Sequence, residues 1–254
     1  MKPLFAICFS FLFFSLCGQE EAYFTLEPCL TPDASQIIFS QHGDLWQVPV
    51  SGGIAKRLTA MEGEERRPNV SPDGKWLAFS NNQMGNFDVY IMPLGGGVVR
   101  QLTFHDSTDD MDSWAWDSQS IYFTSGRYNS FSGYQVGIEG GTPIRLFKHY
   151  FDNSHNLVEH PTSKKIYFNE TWESKIFPNR KRYKGDYNPD ISTIDRTTQK
   201  LEKLTTWKGK DFGATIDQSG KVYFKSDEAN DEYNLYTFEA NEKKQLTNFP
   251  TSIM

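Results

Sequence analysis

The sequence predicts an all-β fold, a β-propeller with five recognisable blades. Three observations carry this. A turn of the form Ser71-Pro72-Asp73-Gly74 runs into a short alternating stretch ending at Ser80, and five such units recur along the 254 residues. A second recurring stretch ends in leucine, usually Leu-Thr, at Leu58, Leu102, Leu146, Leu204 and Leu246, in steps of 44, 44, 58 and 42 residues. Aromatic side chains make up 15% of the chain, a content that suits sheets better than helices. A period near 44 residues, divided into short strands, is the mark of propeller blades, whose two apolar faces are buried only by stacking on neighbours.

Residues 1–18 stand apart from the repeats. Lys2 gives a short positive end, the run from Leu4 to Cys17 is almost wholly apolar, and small Gly18 precedes the polar Gln19-Glu20-Glu21. That layout predicts a secretory signal peptide, with an apolar run too short to span a bilayer comfortably. Residues 19–254 then form the propeller domain, and a periplasmic or secreted location without stable membrane insertion follows. Cleavage leaves Cys29 as the single cysteine, so no intrachain disulfide forms.

The repeat turns have a physical logic. Pro72 fixes φ for the first central position, Asp73 can accept from the backbone downstream, and Gly74 tolerates φ above zero. Pro32 and Asp33 take these roles before residues 36–40, Asp117 before 121–125, residues 161–164 before 165–169, and Asp217 with Gly220 before 221–225. After the second turn, Trp76, Ala78 and Ser80 point one way and Leu77 and Phe79 the other, as a half-buried strand requires. The next strand of each unit is read at residues 44–48, 87–92 and 234–238, with weaker equivalents at 134–136 and 190–194. Gly52-Gly53, Gly95-Gly96-Gly97 and Gly140-Gly141 predict hairpin turns before the outer strands.

The formal charge of −6 excludes a nucleic-acid backbone as partner, since phosphate binding needs a basic surface. Residues 103–112 hold a histidine and several carboxylates, but not at the alternate spacing of a calcium loop, and are expected to connect to the third blade. One cysteine beside scattered histidines makes no metal cluster, so no metal or cofactor is expected. Ser71, Ser80 and Ser125 fall at repeat positions, unlike a catalytic serine on a strained elbow, and no catalytic residue is read.

The 58-residue step carries an insertion, residues 170–189, between the second and third strands of the fourth blade. Arg180, Lys181, Arg182 and Lys184 are interleaved there with Tyr183 and Tyr187. Two readings stay open: a patch that contacts peptides, with Tyr and Arg as anchors, or a solvated loop whose aromatics cover the blade edge.

The unit running from Ser71-Pro72-Asp73-Gly74 through Phe87-Asp88-Val89-Tyr90 to Leu102-Thr103 resembles the propeller repeat shared by TolB, the tricorn protease and some peptidase amino-terminal domains. The stretch Lys181-Arg182-Tyr183-Lys184-Gly185-Asp186-Tyr187-Asn188-Pro189-Asp190-Ile191 is similar to the basic, aromatic insertion of the tricorn protease family. That resemblance implies a six-bladed ring followed by a second propeller, a PDZ domain and a serine-peptidase domain, with the propellers admitting peptides. Since five blades are read here, the domain is expected to be incomplete at its C-terminus. The resemblance implies the non-catalytic propeller portion of an exported tricorn-like serine peptidase, binding or gating peptides. The alternative it leaves is a TolB-like periplasmic scaffold that binds envelope proteins without enzyme activity.

Overall fold

The structure, a computed structural model, describes residues 26–150, 152–240 and 242–251, so the expected signal peptide lies outside the described residues. It is a five-bladed β-propeller. Blade one holds β1 (Leu26–Leu30), β2 (Gln36–Gln41), β3 (Asp44–Pro49) and β4 (Lys56–Arg57). Blade two holds β5 (Glu65–Val70), β6 (Trp76–Asn81), β7 (Asp88–Pro93) and β8 (Arg100–Gln101). Blade three holds β9 (Asp109–Trp114), β10 (Ser120–Ser125), β11 (Ser132–Gly137) and β12 (Gly140–Arg145). Blade four holds β13 (His155–Glu159), β14 (Lys165–Asn169), a four-residue helix α1 (Glu173–Ile176), β15 (Ile191–Asp195) and β16 (Leu201–Lys203). Blade five holds β17 (Asp211–Ile216), β18 (Val222–Ser226), β19 (Asn234–Glu239) and β20 (Glu242–Gln245).

Every blade is an antiparallel meander of four strands in chain order. The first strands ring the axis, with β1 packed on β5, β5 on β9, β9 on β13 and β13 on β17; no comparable packing joins β17 to β1 among the described residues.

The repeat turn closes with Gly74 N donating to the Ser71 carbonyl at 2.8 Å, and Ser71 Oγ donating to Asp73 Oδ1 at 2.6 Å. Lys75 N completes it by donating to Asp73 Oδ1 at 3.1 Å, and Gly74 sits at φ +72°. Beyond the turn, β6 is buried on both faces rather than half-buried, because a blade lies on either side of it. Leu77 and Phe79 join Ile38, Leu45 and Tyr90 in the core shared with blade one, while Ala78 joins Met111, Ile121 and Phe123 in the core shared with blade three.

Polar residues repeat as regularly as apolar ones. The threonine of each Leu-Thr pair clasps the outer strand to the third. Thr103 Oγ1 donates to Asp88 Oδ1 at 3.0 Å, Thr205 to Asp190 at 3.1 Å and Thr247 to Asn234 at 3.0 Å. Each hydroxyl also accepts a backbone N–H, from Val89, Ile191 and Leu235, at 2.9 Å. Blade three has Phe147 in place of the threonine, and Ser154 Oγ accepts from Gly133 N instead, at 2.8 Å.

Two expectations are corrected. Residues 109–112 are not connection but the start of β9, whose acidic side chains pair inside the propeller. Gly140 and Gly141 open β12 rather than forming its turn, which falls on Ile138 and Glu139.

Phe79→Ala should destabilise the fold by about 3–5 kcal/mol in urea unfolding, because it opens a cavity in the fully buried core between blades one and two. Val98→Ala, at a site 79% exposed, should stay within about 0.5 kcal/mol of the parent.

Candidate functional site: the two ends of the propeller tunnel

The first strands give the tunnel its lining, and its two ends differ. At the end where these strands finish lies a cavity of about 610 Å³, bordered by residues of all five blades. Leu30, Val70, Trp114 and Ile216 stand at matching places, each one step before its repeat turn. Asn69, Ser113, Val158 and Thr215 match one another in the same way, paired across from Ala78, Tyr122, Tyr167 and Tyr223. The lining therefore has an apolar tier, and beside it along the strands a tier that is hydrogen-bonding except at Val158. The turn residues Pro32, Pro72, Asp73 and Asp117 form part of its rim, as do Ser118 and Gln218.

Two indoles are fixed there by their N–H groups. Trp114 Nε1 donates to the Asn69 carbonyl and Trp116 Nε1 to the Glu159 carbonyl, both at 2.8 Å. Ser113 is different: its Oγ is buried and has no hydrogen-bond partner. A buried hydroxyl left without a partner is an uncompensated cost of this packing.

The other end is held by charges. Asp110, near the start of β9, receives the Arg66 guanidinium from β5 and Lys175 Nζ from α1, the latter at 2.6 Å. Arg67 pairs with Asp112 at 3.1 Å, and its backbone N–H donates to Glu27 Oε2 of β1 at 2.6 Å. Burial opposes ionisation of Asp110, but Lys175, Arg67 and Arg66 outweigh it and hold the carboxyl well below the ordinary range. For Asp112 burial wins over Lys175 and Arg67, and its pKa is raised. The insertion is thus pinned across blades by a cluster of paired charges whose removal from water is offset only while all partners remain.

A second buried pair, Lys210 Nζ to Glu173 Oε1 at 3.2 Å, ties α1 to the approach of blade five, and Lys210 Nζ also donates to the Phe177 carbonyl at 2.7 Å. Beside α1, His155 is completely buried, with Nε2 2.6 Å from the Thr171 carbonyl. Burial first, then the Lys175 charge, push the His155 pKa down to about 3.

The basic residues of the insertion are spread over several contacts. Arg180 pairs with Glu173 at 3.4 Å and stacks 3.9 Å from the centre of the Tyr183 ring. Lys181 pairs with Glu232 at 2.7 Å, and Lys184 with Asp231 at 2.9 Å and Asp227 at 3.2 Å. Tyr187 remains exposed and packs on Trp172, while Arg182, also exposed, sits at φ +63° and makes no ion pair among the described residues. Sequence reasoning found the insertion but missed Asn69, Ser113, Trp114 and Thr215, which belong to first strands it did not delimit. Trp114 and Trp116, two apart and just before Asp117, were the legible signal. Among the described residues no group of His, Cys, Asp and Glu is arranged to hold a metal ion, and no helix is long and apolar enough to cross a membrane.

A family model described as the tricorn protease N-terminal β-propeller domain matches residues 27–252. The chain belongs to that family. This tricorn-type propeller is similar to the structure of a TolB of Agrobacterium tumefaciens, with 19% identity, a TM-score of 0.72, and 87% of this chain and 80% of that one covered. TolB of Acinetobacter baumannii is 22% identical, with a TM-score of 0.64 over 85% of this chain and 52% of that one. The tricorn protease itself is 15% identical, with a TM-score of 0.72 over 89% of this chain and 22% of that one. At such identities the likeness is one of fold. Among curated proteins, an uncharacterized protein of Agrobacterium fabrum is 32% identical over 47 residues, 18% of this chain and 16% of that protein. The chain therefore spans about half of the Acinetobacter TolB and about a fifth of the tricorn protease.

His155 gives the tricorn-type propeller a defined acid response. The unfolded chain, where its pKa returns to about 6.5, takes up a proton first as pH falls, and the folded chain only near 3. Stability contributed by the neutral imidazole is complete above pH 6.5 and is lost down to about pH 3, on the order of 5 kcal/mol in all. Urea unfolding between pH 3 and 7 should show this slope, and His155→Gln should flatten it.

Proposed function

We propose that this chain is a binding propeller that takes an extended segment of an envelope protein, or a peptide, into the open end of its tunnel and performs no chemistry on it. The observation that carries the reading is the cavity bordered by all five blades, with apolar residues and two anchored indoles set among hydrogen-bonding groups. An extended chain presents side chains and backbone amides alternately, and such a lining suits it. The TolB-like architecture and the signal-peptide layout of residues 1–18 support a periplasmic or secreted scaffold role.

The test is a screen of eight-residue peptides on the purified protein, read by tryptophan fluorescence. Binding peptides should change the emission of Trp114 and Trp116, and Thr215→Trp, which fills the cavity, should weaken them about tenfold or more. Selection unchanged by that substitution would reject the reading.

A second reading, the peptide-admitting gate of an exported serine peptidase, draws support from the tricorn family match and from the insertion pinned at the opposite end. In this reading Arg180, Lys181, Arg182, Tyr183, Lys184 and Tyr187 form the contact face for peptides. Lys181 and Lys184 also hold blade five, so removing them would disturb stability. Arg182 and Tyr187 give the cleaner test. Replacing both by alanine should weaken acidic peptides about threefold to tenfold while leaving the melting temperature unchanged. Equal affinity in parent and variant would sink the idea.

A further inference from the structure

The exposed aromatic side chains of the described residues gather at one end of the propeller. Phe104, Tyr128, Tyr150, Phe177, Tyr187 and Phe249 all lie in the connections of the α1 end or, for Phe249, just past β20 at that end. The exposed apolar residues in the connections of the turn end, Val50, Ile54 and Val98, are aliphatic. Tyr128 and Tyr150 meet edge to face with ring centres 5.4 Å apart, and they occupy the middle of the series. Phe104 lies towards blade two, and Phe177 and Tyr187 stand on the insertion of blade four. Rings are the side chains in which protein interfaces are enriched, and a group of them left in water marks a contact surface.

Charge is divided across the same face. On the blade-two side Glu62, Glu64 and Asp106 are exposed and make no ion pair among the described residues, and residues 58–64, 82–87 and 102–108 contain no lysine or arginine. On the blade-four side Lys148, Arg182 and Lys208 are exposed and likewise unpaired, with Asp186 the one exposed, unpaired carboxylate in residues 146–154, 170–190 and 204–210. Blade three lies between the two sides.

We propose that this face binds a second copy of the chain, face to face, about a two-fold axis that runs across blade three. Such an axis sets Tyr128 and Tyr150 against their own counterparts and lays the acidic side of each copy on the basic side of the other. An isologous contact requires that self-complementarity. A partner of uniform charge, or an anionic lipid surface, would be repelled by one side of the face. The contact leaves the turn end open, so it does not depend on the tunnel reading. It covers Arg182 and Tyr187, which the gate reading gives to peptides.

Sedimentation equilibrium of the purified protein across a concentration series should show monomer and dimer in exchange, with the dimer weakened about threefold to tenfold by raising salt from about 0.1 M to about 0.5 M. Phe104→Ala combined with Tyr187→Ala should weaken it about tenfold or more. Charge reversal tests the geometry. Glu62→Lys with Glu64→Lys, and Arg182→Glu with Lys208→Glu, should each be monomeric alone, because like charges then meet across the axis, and an equimolar mixture of the two should dimerise again. All four positions are exposed and unpaired, so the fold withstands these changes. A parent that stays monomeric throughout, a dimer indifferent to either reversal, or a mixture that fails to recover would overturn the proposal.

Discussion

The constraint on which this molecule depends is that the second strand of an interior blade is buried on both faces. Alternation in β6 does not separate core from solvent, as in a sheet with one wet side; it separates one core from the next. Leu77 and Phe79 serve the contact with blade one, and Ala78 the contact with blade three. In β10, Ile121 and Phe123 look back to blade two while Tyr122 looks forward to blade four. Each blade thus lends half of its apolar residues to either neighbour, and stability is a sum of shared interfaces.

Stacking alone would leave blades free to slide, since apolar contact is not directional. Polar groups at matching positions supply the register. Ser40 Oγ donates to the Glu65 carbonyl at 2.6 Å, Ser80 Oγ accepts from Met111 N at 2.8 Å, and Asn169 Nδ2 donates to the Asp211 carbonyl at 3.0 Å. All three sit at corresponding places in their second strands, and all three reach the first strand of the next blade. Lys225 takes this place in β18 of blade five, where it lies 4.7 Å from the centre of the Phe212 ring in its own blade and burial lowers its pKa.

What the sequence made legible follows the same division. Second, third and outer strands were readable, because turn residues and the Leu-Thr clasp recur at fixed offsets. The first strands were not delimited. Asp109-Asp110-Met111-Asp112 read as connection, and Glu65-Arg66-Arg67-Pro68 was not delimited as a strand, since Asp110, Arg66 and Arg67 pair with other blades and with α1, which no local pattern discloses. A register shift within each first strand blurs the alternation further. The tunnel cavity was hidden for the same reason, since its lining comes from those strands. The insertion was found by its length and charge, but the partners of Lys181 and Lys184 lie at 227–232, outside any window that a local reading spans.

The two tunnel ends also differ in what they can exchange with a ligand. At the α1 end the buried cations and carboxylates already meet one another, so a ligand arriving there would have to break a pair and leave a desolvated charge behind. At the turn end the tryptophan N–H groups are committed to backbone carbonyls, and the cavity is bordered by the partly exposed Trp116, the exposed Leu30 and the turn residues. A ligand entering there, as proposed above, would remove apolar surface from water without breaking an ion pair. The end richer in buried charge commits it to its own structure, whereas the turn end is bordered by aromatic, aliphatic and turn residues.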